Sequence, residues 1–142
     1  MMAAALDEAR QALEEEEIPI GAVVACKGKI IGRGHNMTER LHDVTAHAEM
    51  LAITAAASTL GGKYLRDCTL YVTVEPCLMC AGAIGWSQVS RVVYGAPDPR
   101  RGYLGLTRAD RPVLHPQTAV ASGVLADEAL ALMRRFFALL RD

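Results

Sequence analysis

Four residues in this 142-residue chain have types and spacings that could do chemistry: His47 with Glu49 two positions on, and Cys77 with Cys80 three positions on. Cysteines at i and i+3 on a first helical turn point the same way, so their sulfurs can share a metal. A helix N-terminus at that place favours the thiolate that zinc requires. One imidazole and two thiolates favour Zn2+, one per chain, and three protein ligands leave a fourth tetrahedral position open, which separates a catalytic zinc from a structural one. A water held there would ionise near pH 7. Glu49 lies close to such a metal without needing to bind it, and its carboxylate could take a proton from that water and return it to a substrate.

Other readings of the same residues are weaker. A C-x-x-C pair alone could be redox-active, but the remaining hallmarks of a thioredoxin-like setting are missing. A four-cysteine structural zinc would need Cys26 and Cys68, isolated residues at strand or strand-edge positions that are better explained as small buried hydrophobes. His35, His42 and His115 read as packed or exposed histidines rather than ligands. A zinc protein without catalysis would have no need of a carboxylate at Glu49.

These residues must be placed by the elements around them. Leu6 to Glu17 has apolar residues at helical spacing and reads as an amphipathic surface helix, with the acidic run Glu14 to Glu17 as a solvated face and Pro19 beyond its end. Ala22 to Cys26 and Lys29 to Arg33, joined by Lys27-Gly28, predict a β-hairpin. The polar stretch Gly34 to Asp43 reads as a loop. Thr45 is placed to cap a helix over Ala46 to Ser58, rich in alanine, with Met50, Ile53 and Ala57 on one face and Gly61-Gly62 as its stop. Thr69 to Val74 is β-branched and aromatic and predicts a strand. Pro76 opens a second helix through about Trp86, in which Gly82 and Gly85 leave room for a close neighbour. Arg91 to Gly95 predicts another strand. Ala96 to Gln117, with four prolines and two glycines, reads as irregular. A short strand near Thr118 to Ser122 precedes a last helix from about Asp127, with Leu130, Met133, Phe137 and Leu140 as its core face. Strands alternating with helices imply one layered α/β domain over residues 1–142, with helices on both faces of a small sheet.

Composition agrees with an ordinary globular domain: 51% apolar and 22% charged residues exclude disordered and collagen-like classes. No signal peptide is legible near the first residues and no apolar run is long enough to span a bilayer, so the expected compartment is the cytoplasm, without a membrane partner. In that reducing compartment a C-x-x-C pair is read as a metal or redox site. The net charge of −1 hides an asymmetry: residues 1–76 sum to −4, residues 77–142 to +3, and every basic residue of the second part is arginine. That is either solvated surface or a phosphate-contacting face.

The conjunction of His47-Ala48-Glu49 with Pro76-Cys77-Leu78-Met79-Cys80, each at an expected helix start and in this order, is the zinc-deaminase pattern. On it, and on Glu17 to Ala22, Gly34-His35-Asn36, Leu70 to Gly82 and Gly123 to Glu128, the chain resembles the cytidine-deaminase-like enzymes, most of all the bacterial tRNA-specific adenosine deaminases. The resemblance implies a three-layer α/β/α domain with a small mixed sheet. It also implies hydrolysis of adenosine to inosine and ammonia at the wobble position of a tRNA anticodon loop, by zinc-hydroxide attack at C6 with Glu49 as proton shuttle. By the same carry-over Asn36 hydrogen-bonds the base, the backbone around Ala48 lines the pocket, Asp98 sits near the substrate entrance, and the enzyme is a homodimer that contacts the anticodon stem-loop with both subunits. Pro97 to Leu106 departs from the small residues usual in these enzymes, and Arg100, Arg101, Arg134 and Arg135 are the candidates for phosphate contact. The nearest rival is a deaminase of a free base or nucleoside, of guanine or cytosine type.

Overall fold

The computed structural model describes residues 1–141, so Asp142, the last residue of the expected domain, lies outside the described residues. The helices are α1 (Met2–Glu14), α2 (Thr38–Leu41), α3 (Ala48–Leu60), α4 (Leu78–Ser87) and α5 (Ala126–Arg141). The strands are β1 (Gly21–Cys26), β2 (Lys29–His35), β3 (Cys68–Val74), β4 (Arg91–Ala96) and β5 (Ala119–Ala121), in the sheet order β2-β1-β3-β4-β5. β1 pairs antiparallel with β2 and β3, whereas β3, β4 and β5 run parallel, so the sheet is mixed as expected.

Alternation along the strands builds the three layers. Ala22, Val24, Leu70, Val72, Val92 and Tyr94 face one way, into a core shared with Ala48, Ala52 and Ala56 of α3 and Ala81 and Ile84 of α4. Val23, Tyr71 and Val93 face the other way, against Met2 and Ala5 of α1, and Leu6 and Ala96 close on Ala129 of α5. The hairpin turns at Lys27 (φ 52°) and Gly28 (φ 77°), the paired left-handed geometry that the Lys-Gly sequence predicts.

Several boundaries differ from the sequence reading. α1 ends at Glu14, before the proline, with Glu16 at φ 62°. The expected loop from Gly34 is in part structured: Gly34 and His35 finish β2, and Thr38–Leu41 is a helical turn. α3 buries Ala48, Ala52 and Ala56 fully, with Ile53 and Ala57 partly buried against the same core. The cause is close approach: a Cβ on Gly34 would overlap the Ala48 carbonyl and the Ala52 amide, so only the small residues of α3 fit against β2. α5 likewise buries Ala129 and Phe136, while Leu130, Phe137 and Leu140 stay exposed. Of the two α4 glycines, Gly85 meets the Val113 carbonyl and Gly82 meets nothing.

Gly34→Val is therefore expected to push α3 off the sheet and to cost about 3 kcal/mol in chemical denaturation. A loss below about 1 kcal/mol would contradict this close helix–strand packing.

Candidate metal centre and active site

Both metal-ligand fragments begin helices on the same face of the sheet. His47 is the N-cap of α3 and Cys77 the N-cap of α4, both in extended backbone. Cys77 and Cys80 thus stand as N-cap and N3, positions whose side chains face each other across the first turn. Pro76 lies just outside the helix rather than in its first turn. Thr45 does not cap α3, because its N–H and hydroxyl both donate to Asp43 Oδ1, at 2.8 and 2.7 Å, which delays the helix to Ala48.

His47 Nδ1 lies 3.6 Å from Cys77 Sγ and 3.4 Å from Cys80 Sγ, and the three donor atoms fall within 4.8 Å of one another. Zinc bonds of about 2.3 Å to sulfur and 2.05 Å to nitrogen, meeting at the tetrahedral angle, separate the two ligand atoms by about 3.6 Å. Both nitrogen–sulfur distances match those of a tetrahedral zinc site. Among the described residues no other group of three His, Cys, Asp or Glu donors converges in this way. Cys26 and Cys68 face each other across β1 and β3 and do not join this set. Burial and the neighbouring Cys26 thiol push the Cys68 thiol up to about 12.

The electrostatics of the donors follow from their contacts. The Cys80 thiol, by hydrogen-bonding to Cys77, and the His47 imidazole hold the Cys77 thiol down at about 4, against the effect of its burial. Cys80, which gives that bond and is buried, is pushed upward. The bond to Cys77 raises His47. Glu49, second residue of α3 and 4% exposed, is pushed up to about 7 by burial, with its own backbone N–H and the His47 imidazole opposing.

The remaining predicted residues lie after β2, at the start of α3 and after β4. Asn36 follows β2 directly and is 5% exposed; its N–H donates to the Ile20 carbonyl, and the next residue, Met37, donates to the Ala46 carbonyl just before His47. Its side-chain amide makes no hydrogen bond among the described residues, so it is not a turn residue bonding its own backbone. Ala48 is fully buried, and as first residue of α3 its N–H has no acceptor within the helix. Asp98 is half-buried, and its Oδ1 accepts the N–H groups of Arg100 and Arg101 at 3.1 and 3.0 Å, which makes it a turn former.

Sequence reasoning missed two buried carboxylates. Glu17, taken as part of a solvated acidic face, is 1% exposed and accepts the N–H groups of Glu39 and Arg40 at the start of α2. Glu75, given no role, accepts the N–H groups of Asp98 and Leu104. The one available signal was position, since each glutamate sits one or two residues before a proline at a strand end. His35 is packed, bridging Glu8 and Glu15 through its two ring nitrogens.

The sequence profile of the cytidine and deoxycytidylate deaminase zinc-binding region matches residues 1–96, and the chain belongs to that family. Within it the chain falls among the tRNA-specific adenosine deaminases. A relative of that name from Agrobacterium fabrum is 44% identical over 138 residues, covering 96% of this chain and 91% of the relative. A solved structure from a study of A-to-I editing by tRNA:A34 deaminases at the wobble position of transfer RNA superposes with a TM-score of 0.87 at 44% identity, covering 92% of this chain and 96% of that one. A guanine deaminase from Nitrosomonas europaea shares the fold at a TM-score of 0.81 but is 28% identical, over 96% of this chain and 82% of its own.

Proposed function

We infer that residues 1–142 act as one zinc deaminase domain that converts adenosine to inosine, with release of ammonia, at the wobble position of a tRNA anticodon loop. The observation that carries the reading is a buried, protonatable Glu49 beside a three-donor set that fits zinc. Zinc held by His47, Cys77 and Cys80 would supply Lewis acidity, lowering the pKa of a water to about 7 so that it can add to C6 of adenine. Glu49 takes one proton from the attacking water and passes it to the purine ring, then takes the second from the added hydroxyl and passes it to the departing amine, a cycle that suits a buried carboxyl beside the donor set. Asn36 offers its free amide to the base edge, and the Ala48 backbone lines the pocket. The target stands in a single-stranded loop, so splaying its base into such a pocket costs less than extracting it from a duplex.

The RNA substrate is supported by a cavity of about 440 Å3 lined by Arg100, Arg101, Arg134 and Arg141, with Leu130, Met133 and Phe137 as its apolar wall and Asp98 at its rim. Arg135, named with them from the sequence, does not line it, and Arg141 takes its place. Replacing the four lining arginines by Ala is expected to weaken RNA binding and to flatten its salt dependence by about 0.7 in log–log slope for each phosphate left without its arginine. An unchanged slope rejects the phosphate role.

A homodimer is supported by the outer face of α4, where Leu78, Met79 and Trp86 are 44%, 38% and 83% exposed and Gly82 adds no side chain. Apolar side chains gathered on one helix face beside the site suit an interface between two copies. Thiolate ligands suit a reducing compartment such as the cytoplasm. Among the described residues no helix is long and apolar enough to cross a membrane.

The deciding experiment incubates the zinc-loaded protein with an unmodified anticodon stem-loop carrying wobble adenosine, with free adenine, guanine and cytosine in parallel, and reads inosine by mass spectrometry. Inosine in the RNA alone is the expected result. Ammonia from a free base, with the RNA untouched, would keep the zinc chemistry and overturn the substrate.

A further inference from the structure

We propose that Glu75 is a positioning residue for the substrate: its carboxylate sets the segment from Asp98 to Leu104 in the shape that presents Arg100 and Arg101 to the cavity they line with Arg134 and Arg141. Glu75 is 7% exposed and lies in the strand-to-helix connection two residues before Cys77. Its Oε1 accepts the Asp98 N–H at 3.0 Å and its Oε2 the Leu104 N–H at 3.1 Å, so one side chain pins both ends of the segment.

Backbone bonds draw the middle of the segment onto the metal-ligand connection. Tyr103 N–H donates to the Pro76 carbonyl at 2.9 Å, and Gly102 bridges to Cys77. The carboxylate occupies the space that a Cβ on Gly102 would need, so the contact fixes glycine there. Asp98, held from one side by Glu75, in turn accepts the N–H groups of Arg100 and Arg101, which continues the chain of bonds to the arginines themselves. Among the described residues no cationic side chain pairs with Glu75; backbone N–H groups of one segment satisfy it. A buried carboxylate whose hydrogen bonds all serve one substrate-side segment acts on how substrate is held, whereas the proton-transfer group, Glu49, stands on another helix.

The proposal rests on the RNA-deaminase reading, and its test separates the two. Glu75→Gln keeps the size but sets an amide N–H against a backbone donor, and Gly102→Ala pushes on the carboxylate from the other side. Each is expected to raise KM for the anticodon stem-loop about tenfold or more, with kcat within about twofold and zinc content unchanged. In an Arg100→Ala/Arg101→Ala background the same changes are expected to add less than about twofold, because their route to the substrate is already gone. A fall in kcat at constant KM, effects that multiply in full in the Arg100→Ala/Arg101→Ala background, or loss of folding in both variants would overturn the proposal. Unmodified protein that leaves the stem-loop unedited would overturn the functional reading first; editing with an unchanged KM in both variants would overturn the role of Glu75 alone.

Discussion

Glu49→Gln is expected to retain one zinc per chain and to lose turnover by about 10²- to 10⁴-fold. Glutamine has the shape of glutamate and can still accept a hydrogen bond, but it cannot carry a proton. Glu49 is 4% exposed, so bulk solvent does not stand in for it, and it lies outside the His47, Cys77 and Cys80 donor set. Metal content by atomic absorption and single-turnover inosine formation should therefore part company. Full zinc with undiminished turnover would sink the assignment of Glu49 as proton carrier.

The second large effect concerns the metal. Cys80→Ala removes a fully buried sulfur at N3 of α4 and leaves two donors where three converged. Residues that merely orient a zinc ligand are worth about 10- to 100-fold in affinity, so loss of a ligand itself should exceed about 100-fold. After dialysis against a moderate chelator the variant should hold well under one zinc per chain and show no deamination, while the unmodified protein keeps both. Retention of a full equivalent of zinc would mean that the metal sits elsewhere.

The convergent donor set of His47, Cys77 and Cys80 was legible in the sequence because its chemistry depends on local spacing: i and i+3 for the cysteines, a His-x-Glu step, and a helix start after each. The sheet was legible for a similar reason, since β-branched runs such as Leu70 to Val74 predict strands from short-range pattern alone. The buried faces of α3 and α5 were not. Both helices carry two overlapping apolar stripes, and the choice between them was made by their neighbours. Gly34 on β2 admits only Ala48 and Ala52 of α3, and Leu6 with Ala96 admits Ala129 of α5. Glu17 and Glu75 were missed because an acid bonded by distant backbone N–H groups looks, in sequence, the same as one bathed in water. Their partners lie 22 to 29 residues away along the chain.

The ends of the sheet constrain how this chain can assemble. One margin is β5, only three residues long. The other is β2, seven residues long, which carries exposed Lys29 and Arg33 and breaks register where Gly32 and Ile30 oppose Val24 and Ala25. Charge, irregularity and brevity are the devices that keep β-margins from recruiting further strands. The sheet is thus guarded against runaway stacking into fibrils.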